Sequence, residues 1–298
     1  MGAREPGAGR HGAAGPKPEW LKKRLRPSEG RQALEGLIDG LGLNTVCREA
    51  QCPNYLECFA SGTATFMLLG ATCTRGCAFC AVSYGKPEPL DPSEPGRVAE
   101  AVARLGLRYA VVTSVTRDDL DDGGAAQFAE TIRAIRAACP DAAVEALIPD
   151  FQGDAGALAL VAAAKPAVIS HNMETVRELY PLVRPQADYR RSLELIGRIG
   201  GLDPGIRSKS GIMLGLGESR AQVLEIFDDL RAAGCSILTM GQYLAPSEGH
   251  YAVREYVHPD RFREYKAAAE GKGFGFVASA PFVRSSYNAG EALEGAQT

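Results

Sequence analysis

Six of the chain's eight cysteines, Cys47, Cys52, Cys58, Cys73, Cys77 and Cys80, crowd into one short stretch, which chance placement rarely produces. They fall into two trios: C-x4-C-x5-C at Cys47, Cys52 and Cys58, and C-x3-C-x2-C at Cys73, Cys77 and Cys80. Thiolates are soft ligands for zinc and for iron–sulfur clusters. A disulfide framework fits poorly, because a chain of 298 residues can bury a sizeable core without staples. Structural zinc wants four closed ligands, yet no Cys or His follows Cys80 at the usual spacing, and the next histidine is His171. Three thiolates on a four-iron cluster, by contrast, leave one iron open to bind something else. The upstream trio, taken alone, suits a structural zinc and a cluster alike. Cys139 and Cys235 have no partner motif and are expected to pack as small apolar side chains.

The elements that must position these thiols can be read from periodicity. Cys73 follows the apolar run Ala64–Leu69, so its trio sits on the loop at the C-terminal end of a predicted strand, where active sites of βα barrels form. From residue 64 onward, short β-branched runs alternate with longer amphipathic stretches, the pattern of consecutive βα units. The spacing predicts strands over Ala64–Leu69, Tyr109–Ser114, Ala143–Ile148, Ala167–Ser170, Gly211–Leu214 and Ser236–Met240. Helices are predicted over Ser93–Leu105, Ala125–Ala138, Asp154–Ala164, Tyr189–Ile199 and Ser219–Ala233, several announced by Asp, Ser or Pro. These units are fewer than the eight that close a barrel. The expected α/β fold is therefore a partial (β/α)6 TIM-like barrel with N-terminal and C-terminal extensions, an open doubly wound sheet being the alternative. A further apolar run, Phe274–Ala278, follows a helix over Asp260–Glu270 and is expected beside the barrel as an extension. The chain thus divides into a flexible basic N-terminal arm (1–30, with Lys22, Lys23, Arg24 and Arg26), a cluster-binding extension (31–62), the barrel (63–258) and a C-terminal extension (259–298).

Composition narrows the partners. A net charge of -3 and a pI near 5.9 offer no concentrated basic surface for nucleic acid. No apolar run approaches the roughly 18 residues of a membrane span, and the first residues lack the apolar core of a secretory signal. A cytoplasmic protein that binds neither nucleic acid nor membrane is expected.

The C-x3-C-x2-C spacing, with Phe79 before its last cysteine and a barrel's first strand before the loop, resembles the radical S-adenosylmethionine superfamily. The resemblance implies that Cys73, Cys77 and Cys80 hold a [4Fe–4S] cluster whose open iron chelates the methionine part of S-adenosylmethionine. Cleavage of the sulfonium then gives a 5′-deoxyadenosyl radical. Phe79 would touch the adenine, although a buried aromatic under the loop fits the same position.

Taken with Cys47-Arg48-Glu49-Ala50-Gln51-Cys52-Pro53-Asn54, the pair of trios resembles the lipoyl synthase family. Further agreement lies in Val112–Leu120 with Asp122-Gly123-Gly124, in His171–Thr175, in Lys209–Glu218, in Gly241–Ser247 and in Arg284-Ser285-Ser286-Tyr287, so the likeness spans roughly residues 17–290. It implies insertion of two sulfur atoms, at C6 and C8, into an octanoyl-lysine of a lipoyl carrier protein domain. It also implies a second, auxiliary [4Fe–4S] cluster on Cys47, Cys52 and Cys58 as sulfur donor, with Ser286 as its fourth ligand. An oxygen ligand is hard and displaceable, which lets that iron leave when the cluster gives up sulfide. A turn or cap explains either serine in isolation. The likeness further suggests that Thr113, Ser114, Asn172, Glu174 and Lys209 contact S-adenosylmethionine, with Asn172 equally suited to capping a helix. The Asp118, Asp119, Asp121 and Asp122 run reads as a solvated loop. Gly215-Leu216-Gly217-Glu218 lacks the third glycine of a dinucleotide fingerprint and reads as a strand-to-helix turn bordering the cofactor. A ferredoxin or flavodoxin is the expected reductant, and an iron–sulfur carrier would reload the auxiliary cluster. A methylthiotransferase is the neighbouring alternative, without an RNA-binding appendage here; a non-catalytic electron carrier would not need the βα units.

Overall fold

In the computed structural model, which describes residues 14–22, 30–49, 54, 63–286 and 289–294, the main sheet assembles in chain order. Asn44–Thr45 (β1) pairs antiparallel with Thr63–Leu68 (β2) and forms one edge. Thr72–Cys73 (β3) and Ser83–Tyr84 (β4) make a separate pair that brackets the C-x3-C-x2-C loop. Tyr109–Ser114 (β5), Ala143–Leu147 (β6), Val168–Ser170 (β7), Arg207–Leu214 (β8), Ile237–Gln242 (β9) and Phe276–Ser279 (β10) then add one after another, parallel to β2.

Parallel neighbours need crossovers, and helices provide them. Gly30–Gly40 (α1) and Val46–Glu49 (α2) precede the parallel strands. Glu94–Leu105 (α3), Ala125–Ala138 (α4), Ala155–Ala163 (α5), the short Tyr180–Val183 (α6), Tyr189–Leu202 (α7), Arg220–Ala232 (α8) and Pro259–Gly271 (α9) lie between them, and Glu291–Glu294 (α10) follows β10. Local chemistry sets the boundaries. The Asp154 carboxylate accepts from the Gly156 and Ala157 amides at the start of α5, and Ser219 closes a capping box with Gln222 on α8. Gly106, at φ 60, ends α3 in the left-handed turn that glycine takes without strain.

The outward face of the sheet buries Phe66, Val112 and Ile169 against α3, α4 and α5, and Leu214 and Leu238 against α7, α8 and α9. The inward face is different. Tyr109, Glu145 and Lys209 meet there, with the Tyr109 hydroxyl donating to Glu145 at 2.8 Å and the Lys209 ammonium 2.8 Å from the same carboxylate. Because β7 lies between β6 and β8, that contact requires the sheet to curl into a trough. The strand order starts at β1 and stops at β10, so the trough stays open, as a partial barrel.

Two expectations shift. Phe274–Ala278 is not an appendage: its residues supply β10, hydrogen-bonded to β9. β8 starts at Arg207 rather than Gly211, because Arg207 and Lys209 interrupt the apolar run while pointing into the trough. Of the N-terminal arm, the described part docks on the barrel. The Ala14 amide donates to Val253 O at 2.7 Å, and Trp20 stands edge-on to His258 with ring centres 6.0 Å apart. Lys22 pairs with Glu19, whereas Lys23, Arg24 and Arg26 lie outside the described residues. Among the described residues no helix is long and apolar enough to cross a membrane.

Candidate cluster and cofactor site

The chain leaves β2 through Leu69 and Gly70, both at positive φ, and enters the loop that carries Cys73, Cys77 and Cys80. The loop is held along its length. Thr74 donates to Thr116 O at 2.9 Å, the Ala78 amide to Val183 O at 2.9 Å, and the Gly76 amide to the Gln186 side chain at 2.7 Å. The amides of Arg75 and Thr116 both point at Cys73 Sγ, at 3.4 and 3.2 Å.

Arg75 anchors the loop from beneath. Its guanidinium binds Asp118 through two bonds of 2.6 and 2.7 Å and reaches Asp150 at 2.7 Å, while Arg191 bonds the other oxygen of Asp150 at 2.9 Å. Burial alone would push the Asp150 carboxyl up, but Arg75, with help from His171 and Arg191, holds it well below the usual carboxylate range. The acidic run is therefore not simply solvated. Asp118 pairs with Arg75, Asp119 with Arg117, and Asp122 accepts from the Gly124 and Ala126 amides; Asp121 is exposed. Nothing in the local sequence marks Arg75 as buried, since its partners lie 43 and 75 residues away.

Beside the loop lies a cavity of about 390 Å³. Phe79 and Cys80 line it together with Cys47, Ser285 and Ser286, and Asn172, Glu174, Gly211 and Gly241 complete this part of the lining. Asn54, inside the upstream cysteine motif, donates from its side chain to Phe282 O at 2.5 Å and ties that motif to the segment carrying Ser286. Cys52 and Cys58 lie outside the described residues, as does Tyr287. Glycine is required at two points of the wall. A Cβ on Gly241 would stand 2.0 Å from Val283 O, and one on Gly211 would stand 2.7 Å from Thr239 Oγ1 and 2.9 Å from Asn172 Oδ1.

Three other candidates stand away from the wall. Thr113 Oγ1 donates to Leu147 O at 2.8 Å, Ser114 Oγ is buried, and Lys209, only 1% exposed, sits one inward-facing position below Gly211 with its charge matched by Glu145. Lys209 thus faces the trough interior instead of the mouth.

The donor set fits a cluster and a polar cofactor. Burial, against the pull of Arg184 on Cys77, pushes the Cys77 thiol up, and burial pushes the Cys80 thiol up to about 12; bound iron would reverse that balance. Among the described residues no three His, Cys, Asp or Glu side chains converge on a single-ion position. Asn172 Oδ1 is buried with no partner among the described residues, an acceptor on the cavity lining that a ligand hydroxyl or ammonium would satisfy. Glu174, at φ 64, is held in the left-handed region by backbone bonds to Gly211 and Met213. Burial raises its carboxyl, against the pull of Arg184 and a hydrogen bond from Asn172.

Residues 67–230 match the radical SAM superfamily. Along nearly the whole chain the similarity is more specific: a lipoyl synthase of Alkaliphilus metalliredigens is 53% identical over 93% of this chain and 96% of its own. The chain belongs to the lipoyl synthase family. Lipoyl synthases of Geobacter metallireducens and Nitratidesulfovibrio vulgaris agree, at 55% and 56% identity over 92% and 91% of this chain and 96% and 91% of theirs. Among solved structures, the methylornithine synthase PylB superposes with a TM-score of 0.54 at 13% identity, over 88% of this chain and 90% of its own. HydG, a maturase of the [FeFe]-hydrogenase, gives 0.58 at 13% identity, over 85% of this chain and 57% of its own. These likenesses support the partial barrel. As a lipoyl synthase family member the chain is a radical SAM enzyme of lipoate biosynthesis, a family that works with a [4Fe–4S] cluster and S-adenosylmethionine.

Proposed function

We propose that this enzyme inserts sulfur at C6 and C8 of a protein-bound octanoyl-lysine, with a second [4Fe–4S] cluster on Cys47, Cys52, Cys58 and Ser286 as the sulfur donor. The observation that supports this reading best is the shared cavity: Cys47 and Ser286, from opposite ends of the sequence, line the same space as Phe79 and Cys80. A sulfur donor and a radical source must both reach one carbon chain, and a single chamber meets that need.

When bound, the cluster on Cys73, Cys77 and Cys80 supplies the electron that splits S-adenosylmethionine into methionine and a radical able to take hydrogen from unactivated carbon. The chain's own residues hold, orient and exclude water. Phe79 offers an aromatic face to the adenine, and Asn172 Oδ1 and the Glu174 carboxylate offer acceptors to the sugar hydroxyls or the methionine ammonium. Thr113 and Lys209 already bond Leu147 O and Glu145 and brace the strands around the cavity, whereas Ser114 Oγ is buried with no partner among the described residues and offers a further hydroxyl. Val46, Met213, Tyr243, Leu244 and Val283 give the octanoyl chain an apolar lining, and each methylene they shield contributes about 0.8 kcal/mol. Ser286 is the displaceable ligand of the donor cluster. A ferredoxin or flavodoxin supplies the electron, and an iron–sulfur carrier reloads the auxiliary cluster.

The test is anaerobic turnover of the reconstituted protein with reductant, S-adenosylmethionine and an octanoyl-lysine carrier peptide. 5′-Deoxyadenosine together with a sulfur-bearing peptide is the expected result. 5′-Deoxyadenosine with no sulfur in the peptide would overturn the sulfur-insertion reading.

A further inference from the structure

At the end of the trough opposite the cavity, the parallel strands begin on residues that the far end of the chain covers. Ala289 is buried against Tyr109 and Val111, Ala292 against Val168 and Ile237, and Leu293 packs beside both groups. Tyr109, Val168 and Ile237 are the first residues of β5, β7 and β9, so this segment stoppers the floor of the barrel. Arg207, the first residue of β8, fixes it there: its guanidinium donates to Ala292 O at 2.7 Å.

The same strap is fixed a second time at the cavity. The Gln242 amide donates to Pro281 O at 3.1 Å, Asn54 donates to Phe282 O at 2.5 Å, and Val283 O lies against Gly241 where only a hydrogen fits. Ser286 therefore lies between two anchorages, one at the mouth and one at the floor. A chain reaches at most about 3.3–3.6 Å per residue, so the link from Ser286 to Ala292 spans no more than about 22 Å and keeps the serine within that reach of the floor while Ala292 is held. We propose that Arg207 is a positioning residue for Ser286: it tethers the C-terminal strap to the barrel floor and so keeps the serine at the cavity that Cys47 also lines. The proposal rests on Ser286 being the displaceable ligand. A ligand that lets go of its iron and must take a new one gains nothing from the metal in between, and the backbone has to hold its place. Arg207 suits the task because a guanidinium stays charged across the working pH range and makes a charge-assisted bond to a carbonyl.

Arg207→Met and a truncation that stops after Gly290 both remove the tether, the first from the strand and the second from the strap. Hydrogen exchange of the cluster-free protein reads the strap directly, and loss of one such bond should speed exchange across residues 281–286 by on the order of tenfold. In the reconstituted protein both variants should keep 5′-deoxyadenosine formation, lose auxiliary-cluster iron and lose sulfur insertion, and Arg207→Lys should recover part of each. Unchanged exchange and full iron in Arg207→Met and in the truncation would overturn the tether. So would equal loss of both clusters, which marks a merely structural residue. Ser286→Ala separates the two claims. If it loses auxiliary iron while Arg207→Met does not, only the tether fails; if it keeps full iron and full sulfur insertion, the ligand assignment fails.

Discussion

His171 is fully enclosed, with Nδ1 2.9 Å from Ile148 O and Nε2 3.1 Å from Ser192 Oγ. Burial, reinforced by the nearby charge of Arg184, lowers its pKa to about 4. The ring is therefore neutral in the native state at any pH where the unfolded chain begins to protonate it. Between about pH 6.5 and 4 the unfolded state binds a proton that the native state refuses, so this contribution to stability is complete above that window and is lost as the pH falls through it. Over such a window one group can account for about 3 kcal/mol. Denaturant titrations should show wild-type stability dropping across this range, with His171→Gln showing a flatter dependence. The ring's role was not legible from residue types, because Ser192 and Ile148 reach it from other elements. The thiols were legible: cysteine spacing is itself chemistry, and the loop after β2 carries Cys73, Cys77 and Cys80 as that spacing required.

The cluster loop shows what fixes an element that has little regular structure of its own. Arg75 stitches it to the loops after β5 and β6 through Asp118 and Asp150. Removing the guanidinium leaves the buried Asp150 with Arg191 and the Gln152 amide, and breaking one arm of a buried ion network costs about 3 kcal/mol. Arg75→Ala should therefore lower the melting temperature and reduce iron bound by the first trio; Arg75→Lys, which cannot reproduce the fork, should fall between. Full iron and an unchanged melting temperature would show the network to be dispensable. At this scale the sequence misled in instructive places. Gly211–Leu214 was recognisable because it is apolar, whereas the start of β8 was hidden by Arg207 and Lys209, whose partners Ala292 and Glu145 are distant in sequence. The run that supplies β10 lies after the last predicted helix and reads as an extension beside the barrel, because its pairing with β9 leaves no local mark in the sequence.

For the whole molecule, the alternation of strands and helices followed from periodicity, but the convergence of Lys17 and Ser286 on one cavity did not, since only tertiary contacts report it. Lys17 from the arm and Ser286 from the strap reach the same wall. The second cluster proposed above, added to the first, implies about eight irons per reconstituted chain. Cys47→Ala should bring that to about four while 5′-deoxyadenosine formation persists, and iron analysis beside product analysis would check it. Iron unchanged in Cys47→Ala would remove the second cluster.

The placement of Ser286 also orders assembly in time. During synthesis, every cysteine of both trios is made long before the serine, and the strap that carries it can lock onto the barrel floor only after β5, β7, β8 and β9 exist to receive it. With Ser286 as the fourth ligand proposed above, a nascent chain could house its radical-generating cluster before it could close the proposed donor cluster. On the ligand set proposed above, maturation of the sulfur source waits for the strap, which is made after every strand it docks on.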